Sequence, residues 1–124
     1  MRTTEITENS IKILIDCFYK KVRADKSLGP IFIKAIGEKD EYWAPHLERM
    51  YAFWSSVMLA SGRYDGNPLK KHKDLPRFDE KLFDTWLALF IETVHEIHDD
   101  TIANQYIEKS KLIAQSLRMG HITI

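Results

Sequence analysis

The sequence predicts an all-α fold, and three observations carry that prediction. Apolar residues recur at offsets of three and four in four long stretches, no stretch alternates with period two, and the breaks between stretches hold glycine, proline, asparagine or aspartate. With 124 residues the chain has room for one core, so residues 1–124 are expected to form a single domain.

The first stripe consists of Ile11, Leu14, Ile15, Phe18, Tyr19 and Val22, which a helix aligns along one face. Thr7, Asn9 or Ser10 can cap its start. The helix is expected to fail near Leu28-Gly29-Pro30, because proline donates no hydrogen bond and restricts the residue before it. Ile31, Phe32 and Ile36 then suggest a further short turn. A second long helix is expected to start near Pro45, proline being tolerated in a first turn, and to carry Leu47, Met50, Tyr51, Phe53, Trp54, Val57 and Met58 as far as Gly62. Gly62 to Pro68 reads as a loop, after which Leu69, His72 and Leu75 share one face of a short helix ending at Pro76. Leu82, Trp86, Leu89, Phe90, Thr93 and Ile97 form the third long stripe, and Ile102, Tyr106, Ile113 and Leu117 the fourth, with Asp99-Asp100 as the hinge between them.

Composition excludes several functions. Hydrophobic residues make up 44% of the chain and charged residues 29%, which is ordinary for a folded soluble protein. Lysine plus arginine and aspartate plus glutamate both total 18, so no net field gathers phosphates and nucleic acid is not an expected partner. The single Cys17 rules out an internal disulfide, a cysteine zinc cluster and thioether attachment of haem, and is expected to be a small buried hydrophobe. No apolar stretch reaches the roughly 18 residues of a membrane span, and no signal segment opens the chain, so the expectation is a cytoplasmic monomer without a membrane partner.

Five histidines could hold a transition metal. His121 sits in the terminal tail and is read as solvated. Glu92, His95 and His98 repeat at intervals of three, but Glu92-Thr93-Val94-His95 is the only Glu-x-x-His unit, where a bundle di-iron site needs two; an acidic, solvated helix end is the better reading. His72 should point inward between Leu69 and Leu75, with Lys70, Lys71 and Lys73 on the other faces. Taken alone, such a histidine is more often a hydrogen-bonded core residue than a ligand. His46, at the start of a helix that continues with Met50, Phe53 and Trp54, and Tyr19 also border the interior, and the aromatic content is generous. Aromatic stripes are usually plain core, yet a flat macrocycle needs such walls, one imidazole for its iron and donors opposite. The residues by themselves leave a haem protein and a haem-free helical interaction module both open.

The ordered set of motifs resembles the third group of truncated haemoglobins over nearly the whole chain. It comprises Phe18-Tyr19, Leu28-Gly29-Pro30-Ile31-Phe32, Trp43-x-x-His46, Phe53-Trp54, Tyr64-x-Gly66-x-Pro68, His72-x-x-Leu75 and Trp86-Leu87-x-Leu89-Phe90. The first two groups carry paired glycines; none of the five glycines here is adjacent to another. The resemblance implies a shortened globin in which two antiparallel helix pairs sandwich a non-covalent haem b, with a short proximal helix. His72 then matches the proximal iron ligand. Tyr19 and Trp86 match distal donors to a bound diatomic ligand, His46 a distal-helix histidine that gates access, and Met50 a neighbour of that ligand. Phe18, Phe32, Phe53, Trp54, Leu69, Leu75 and Phe90 become the pocket wall. The implied ligands are dioxygen, carbon monoxide and nitric oxide. The task is either peroxidase-like or nitric-oxide-detoxifying chemistry or non-catalytic carriage or sensing. No G-x-G-x-x-G is present for a nucleotide cofactor, so catalysis would draw on an external electron donor. A gating His46 with an ordinary pKa near 6.5 would begin to charge as the pH falls toward about 5.

Overall fold

The computed structural model describes residues 3–64 and 81–122, with side chains described to residue 116. Among the described residues there are five helices: α1 (Glu8–Ala24), α2 (Leu28–Ile36), α3 (Asp40–Leu59), α4 (Lys81–Ile97) and α5 (Asp100–Ile122). The short helix expected to carry Leu69, His72 and Leu75 lies outside them.

Helix α1 begins as its sequence suggests. The Thr7 side chain accepts from the Ser10 N–H, and the Ser10 hydroxyl accepts from the Thr7 N–H, a reciprocal box that satisfies two of the donors a helix start leaves free. Its buried face is the expected stripe, Ile11, Leu14, Ile15, Phe18, Tyr19 and Val22. The helix ends at Ala24, earlier than expected, where the Asp25 carboxylate takes the N–H groups of Ser27 and Leu28 and starts α2. Pro30 therefore lies in the first turn of α2, where the missing donor has no helical acceptor to serve. Gly29 is required by close approach, since a Cβ there would lie 2.6 Å from the Arg23 carbonyl oxygen.

Helix α3 starts at Asp40, one and a half turns before the expected Pro45, which it carries inside. The acidic pair Asp40 and Glu41 suits the positive end of the helix, and burial of Trp43 pulls the extra turn inward. Pro45 is exposed, so the carbonyl it leaves without a helical donor can meet water. The helix closes at Ala60, which has φ 55.

Helix α1 packs against α2, α3 and α4, and α4 packs against α5. The short connections make α4 and α5 antiparallel neighbours, and α1 with α3 forms the second pair. Lys21 of α1 bridges Glu92 and Glu96 of α4, while the Glu8 carboxylate joins Ser55 and Arg63 near the far end of α3. Thr3 pairs with the α4–α5 hinge, donating to Ile97 O and accepting from Asp99 N–H. No helix among the described residues is long and apolar enough to cross a membrane.

Two expectations are corrected. Cys17 is exposed: it follows Ile13 by one turn on the outer face, off the buried stripe. His98 is fully buried rather than solvated, because Tyr106 packs against its ring at 4.9 Å and the Thr3 segment runs beside it.

Candidate functional site

Two groups of rings meet in the core. In the first, α1 supplies Tyr19, α2 Phe32, and α3 Trp43 and His46, the last two one turn apart on the same face. Tyr19 and His46 stand edge to face with centroids 4.9 Å apart. In the second group, Phe90 lies stacked between Trp54 at 4.8 Å and Trp86 at 5.8 Å, and the fourth-residue spacing of Trp86 and Phe90 on α4 makes this possible. Phe18 joins the two groups, edge-on to Tyr19, Trp86 and Phe90. Offset and edge-to-face contacts of this kind follow from the ring quadrupole.

The structure thus brings Tyr19 and His46 into direct contact and connects Trp86 to them through Phe18. Met50 is part-buried against the same cluster, as is Phe32, and Phe53 packs on Trp54 and Tyr64. His72, Leu69 and Leu75 lie outside the described residues.

The polar atoms define what this region can do. The Nε2 of His46 is buried and has no hydrogen-bond partner, an arrangement that costs free energy unless something else meets it. Burial first, and then the charge of Arg49, pull the His46 pKa down to about 4, so the ring is neutral at pH 7 and the expected onset of charging moves to more acid pH. Burial raises the Tyr19 phenol above its ordinary value, which keeps it a donor throughout the physiological range. A neutral imidazole presents one donor and one acceptor and a phenol presents both, so the pair can hold a small polar ligand without placing a charge in the pocket.

The alternative metal reading of Glu92, His95 and His98 dissolves in three dimensions. Glu92 is held by Lys21, His95 Nδ1 lies 3.4 Å from Asp100, and His98 turns into the core. Among the described residues no three His, Cys, Asp or Glu side chains are grouped to hold a metal ion.

Sequence reasoning passed over Trp43 and Arg23. Trp43 is fully buried and touches both Tyr19 and His46, and the Arg23 guanidinium covers its ring at 4.8 Å. Only the spacing Trp43-x-x-His46 hinted at this, since no local pattern reports which residue of α1 will cover a ring of α3.

No protein-family model matches the chain. It is 42% identical over 114 residues to the group 3 truncated haemoglobin ctb of Campylobacter jejuni, a match covering 92% of this chain and 90% of that protein. A crystal structure of group III truncated haemoglobin from Campylobacter jejuni superposes with a TM-score of 0.92 at 41% identity, covering 95% of this chain and 93% of the other. Identity at that level, over nearly the full length and with the same fold, is membership: the chain belongs to the group III truncated haemoglobin family.

Proposed function

We propose that the protein binds haem b non-covalently, that His72 would hold its iron, and that dioxygen, carbon monoxide or nitric oxide would bind on the side of Tyr19, His46, Met50 and Trp86. The observation that carries this reading is the orphaned, buried Nε2 of His46 beside a buried phenol, in a chain of this family. A polar atom placed there needs a partner, and a diatomic ligand is small enough to supply one. When bound, the haem supplies an iron with one coordination position for such a ligand.

The chain's own residues then have distinct tasks. Tyr19, held protonated by burial, donates a hydrogen bond, and Trp86 offers its indole N–H as a second donor. His46, neutral near pH 7, can close over the pocket without bringing charge into it. Phe18, Trp54 and Phe90 wall the site and keep water out, which strengthens every hydrogen bond inside. The same donors would serve redox turnover of nitric oxide or peroxide, for which an outside reductant supplies the electrons.

The test is direct. The purified protein should be red, with a Soret absorption band in the ferric state and a shifted band on adding carbon monoxide to the reduced form. A colourless product that fails to take up added haemin would overturn the proposal.

A further inference from the structure

Tyr19, Trp43 and His46 touch one another as a triangle of rings. Tyr19 to His46 is 4.9 Å, Trp43 to His46 is 5.6 Å and Trp43 to Tyr19 is 5.9 Å between centroids. The three are held very differently. His46 has no hydrogen bond on its buried Nε2, so among the described residues no polar partner fixes that edge of the ring. Trp43, by contrast, is held on its edge and on one face.

Its Nε1–H donates to the Gly37 carbonyl at 2.8 Å. That carbonyl is itself fixed by an unusual backbone: Gly37 has φ 119, and a Cβ there would lie 2.6 Å from the Tyr42 ring, so only glycine fits. On the indole face sits the Arg23 guanidinium, 4.8 Å from the ring centroid. Arg23 is tied down in turn, bonding Asp40 Oδ1 at 2.9 Å and Glu38 O at 2.8 Å. A flat guanidinium bonded to a backbone carbonyl and a carboxylate lies over a ring whose N–H is bonded to a second backbone carbonyl, which restrains the indole on its edge and on one face.

We propose that Trp43 is the positioning residue of the pocket, setting the orientation of His46 and Tyr19 from a ring that Gly37 and Arg23 lock in place. This rests on the assignment of Tyr19 and His46 to the ligand pocket. The outer side of Trp43 sharpens the role. A cleft of about 360 Å³ opens between α1 and α3, lined by Arg23, Asp40, Trp43, Leu47 and Tyr19 among others. Trp43 is therefore also the wall between that solvent-facing cleft and the imidazole of His46, and its bulk contributes to the burial that keeps the imidazole neutral. Among the described residues the charge bearing on His46 is that of Arg49 on its own helix; the ring that α1 sets against it is the uncharged Tyr19, and Arg23 of α1, paired with Asp40, lies against Trp43.

The experiment is an NMR titration of the His46 ring protons in wild type, Trp43→Leu, Trp43→Phe and Arg23→Lys, each as purified, reduced and saturated with carbon monoxide. Arg23→Lys keeps the charge and loses the flat stacked fork, so a shift in that variant reports positioning rather than a changed field. Trp43→Leu should raise the His46 midpoint by about one unit or more toward 6.5, as freedom and water return to the ring. Trp43→Phe and Arg23→Lys should raise it by smaller amounts. Midpoints equal to wild type in all variants, with only the melting temperature lowered, would make Trp43 a plain core residue and overturn the proposal. If Trp43→Leu fails to fold, unchanged midpoints in the other two variants overturn it equally. A colourless wild type whose His46 midpoint still responds to Trp43 would refute haem binding and leave the positioning role standing.

Discussion

On the proposed reading, His46 would tie stability and ligand access to pH through one imidazole. Its pKa falls from the ordinary 6.5 to about 4 because burial, and secondarily Arg49, disfavour the charged ring. A lowered pKa on a base means that the folded state prefers the neutral form. The associated stability is therefore complete above pH 6.5 and is lost as the pH drops from 6.5 toward 4. At about 1.4 kcal/mol per unit the whole shift is worth roughly 3 kcal/mol, a large part of a small domain's stability. That figure is a ceiling, reached only if the charged ring stays inside. An imidazole that swings out to water on protonation escapes the penalty and opens the pocket. Urea unfolding of wild type and His46→Ala between pH 7.5 and 4 measures the first quantity. The constant offset from the lost side chain appears at every pH, and titration of His98 is common to both proteins, so both drop out of the pH dependence of the difference. Wild type should lose up to about 3 kcal/mol more than the variant across this range. Carbon monoxide association rates from pH 8 to 4 measure the second quantity. A gating ring gives a smaller stability loss and an association rate that climbs with acid in wild type alone. A stability difference constant with pH, together with equal association rates in the two proteins throughout, would refute the reasoning. A six-coordinate bis-histidine spectrum in the unliganded protein would instead make His46 a ligand.

Other consequences can be checked separately. His72→Ala should lose haem or hold it weakly with an altered spectrum; an unchanged ferrous spectrum would transfer the iron link to His46. If Tyr19 and Trp86 are the proposed donors, Tyr19→Phe and Trp86→Phe would each remove one hydrogen bond of roughly 1–2 kcal/mol, so either should change dioxygen dissociation by about tenfold, and rates equal to wild type in both would mean that neither side chain meets the ligand. Phe90→Ala removes a fully buried ring stacked between Trp54 and Trp86 and should cost about 3–5 kcal/mol in urea unfolding. His98 is buried with both ring nitrogens unpartnered, and burial, opposed by the Asp99 charge and the nearby Val94 carbonyl, lowers its pKa. His98→Leu should therefore lessen the loss of stability below pH 6.5, and an acid unfolding profile identical to wild type would show that folding does not shift the pKa of this ring.

The elements and their inward faces were legible in the chain because both depend on local spacing. The stripe from Ile11 to Val22 and its Thr7–Ser10 cap follow from helix geometry alone, and the same stripe turns Phe18 and Tyr19 inward. Where local rules compete with burial, they lose. Pro45 looked like a helix start, yet burying Trp43 outweighed the hydrogen bond that a proline omits, and the helix begins at Asp40. Cys17 shows the opposite limit: its spacing from Ile13 already places it on the outer face, and the general tendency of free cysteine to be buried does not override that geometry.

By itself the sequence determined the helical class and the family, since both are carried by spacing or by ordered motifs along the chain. Only the tertiary structure decided that His98 is interior, that the His46 nitrogen is left without a partner, and that Trp43 stands between His46 and a cleft capped by Arg23. Those facts are set by residues of α1, α2, α5 and the Thr3 segment arriving from elsewhere in the chain. Burial and the electrostatics that follow from it are sums over such neighbours, and no window of adjacent residues contains them.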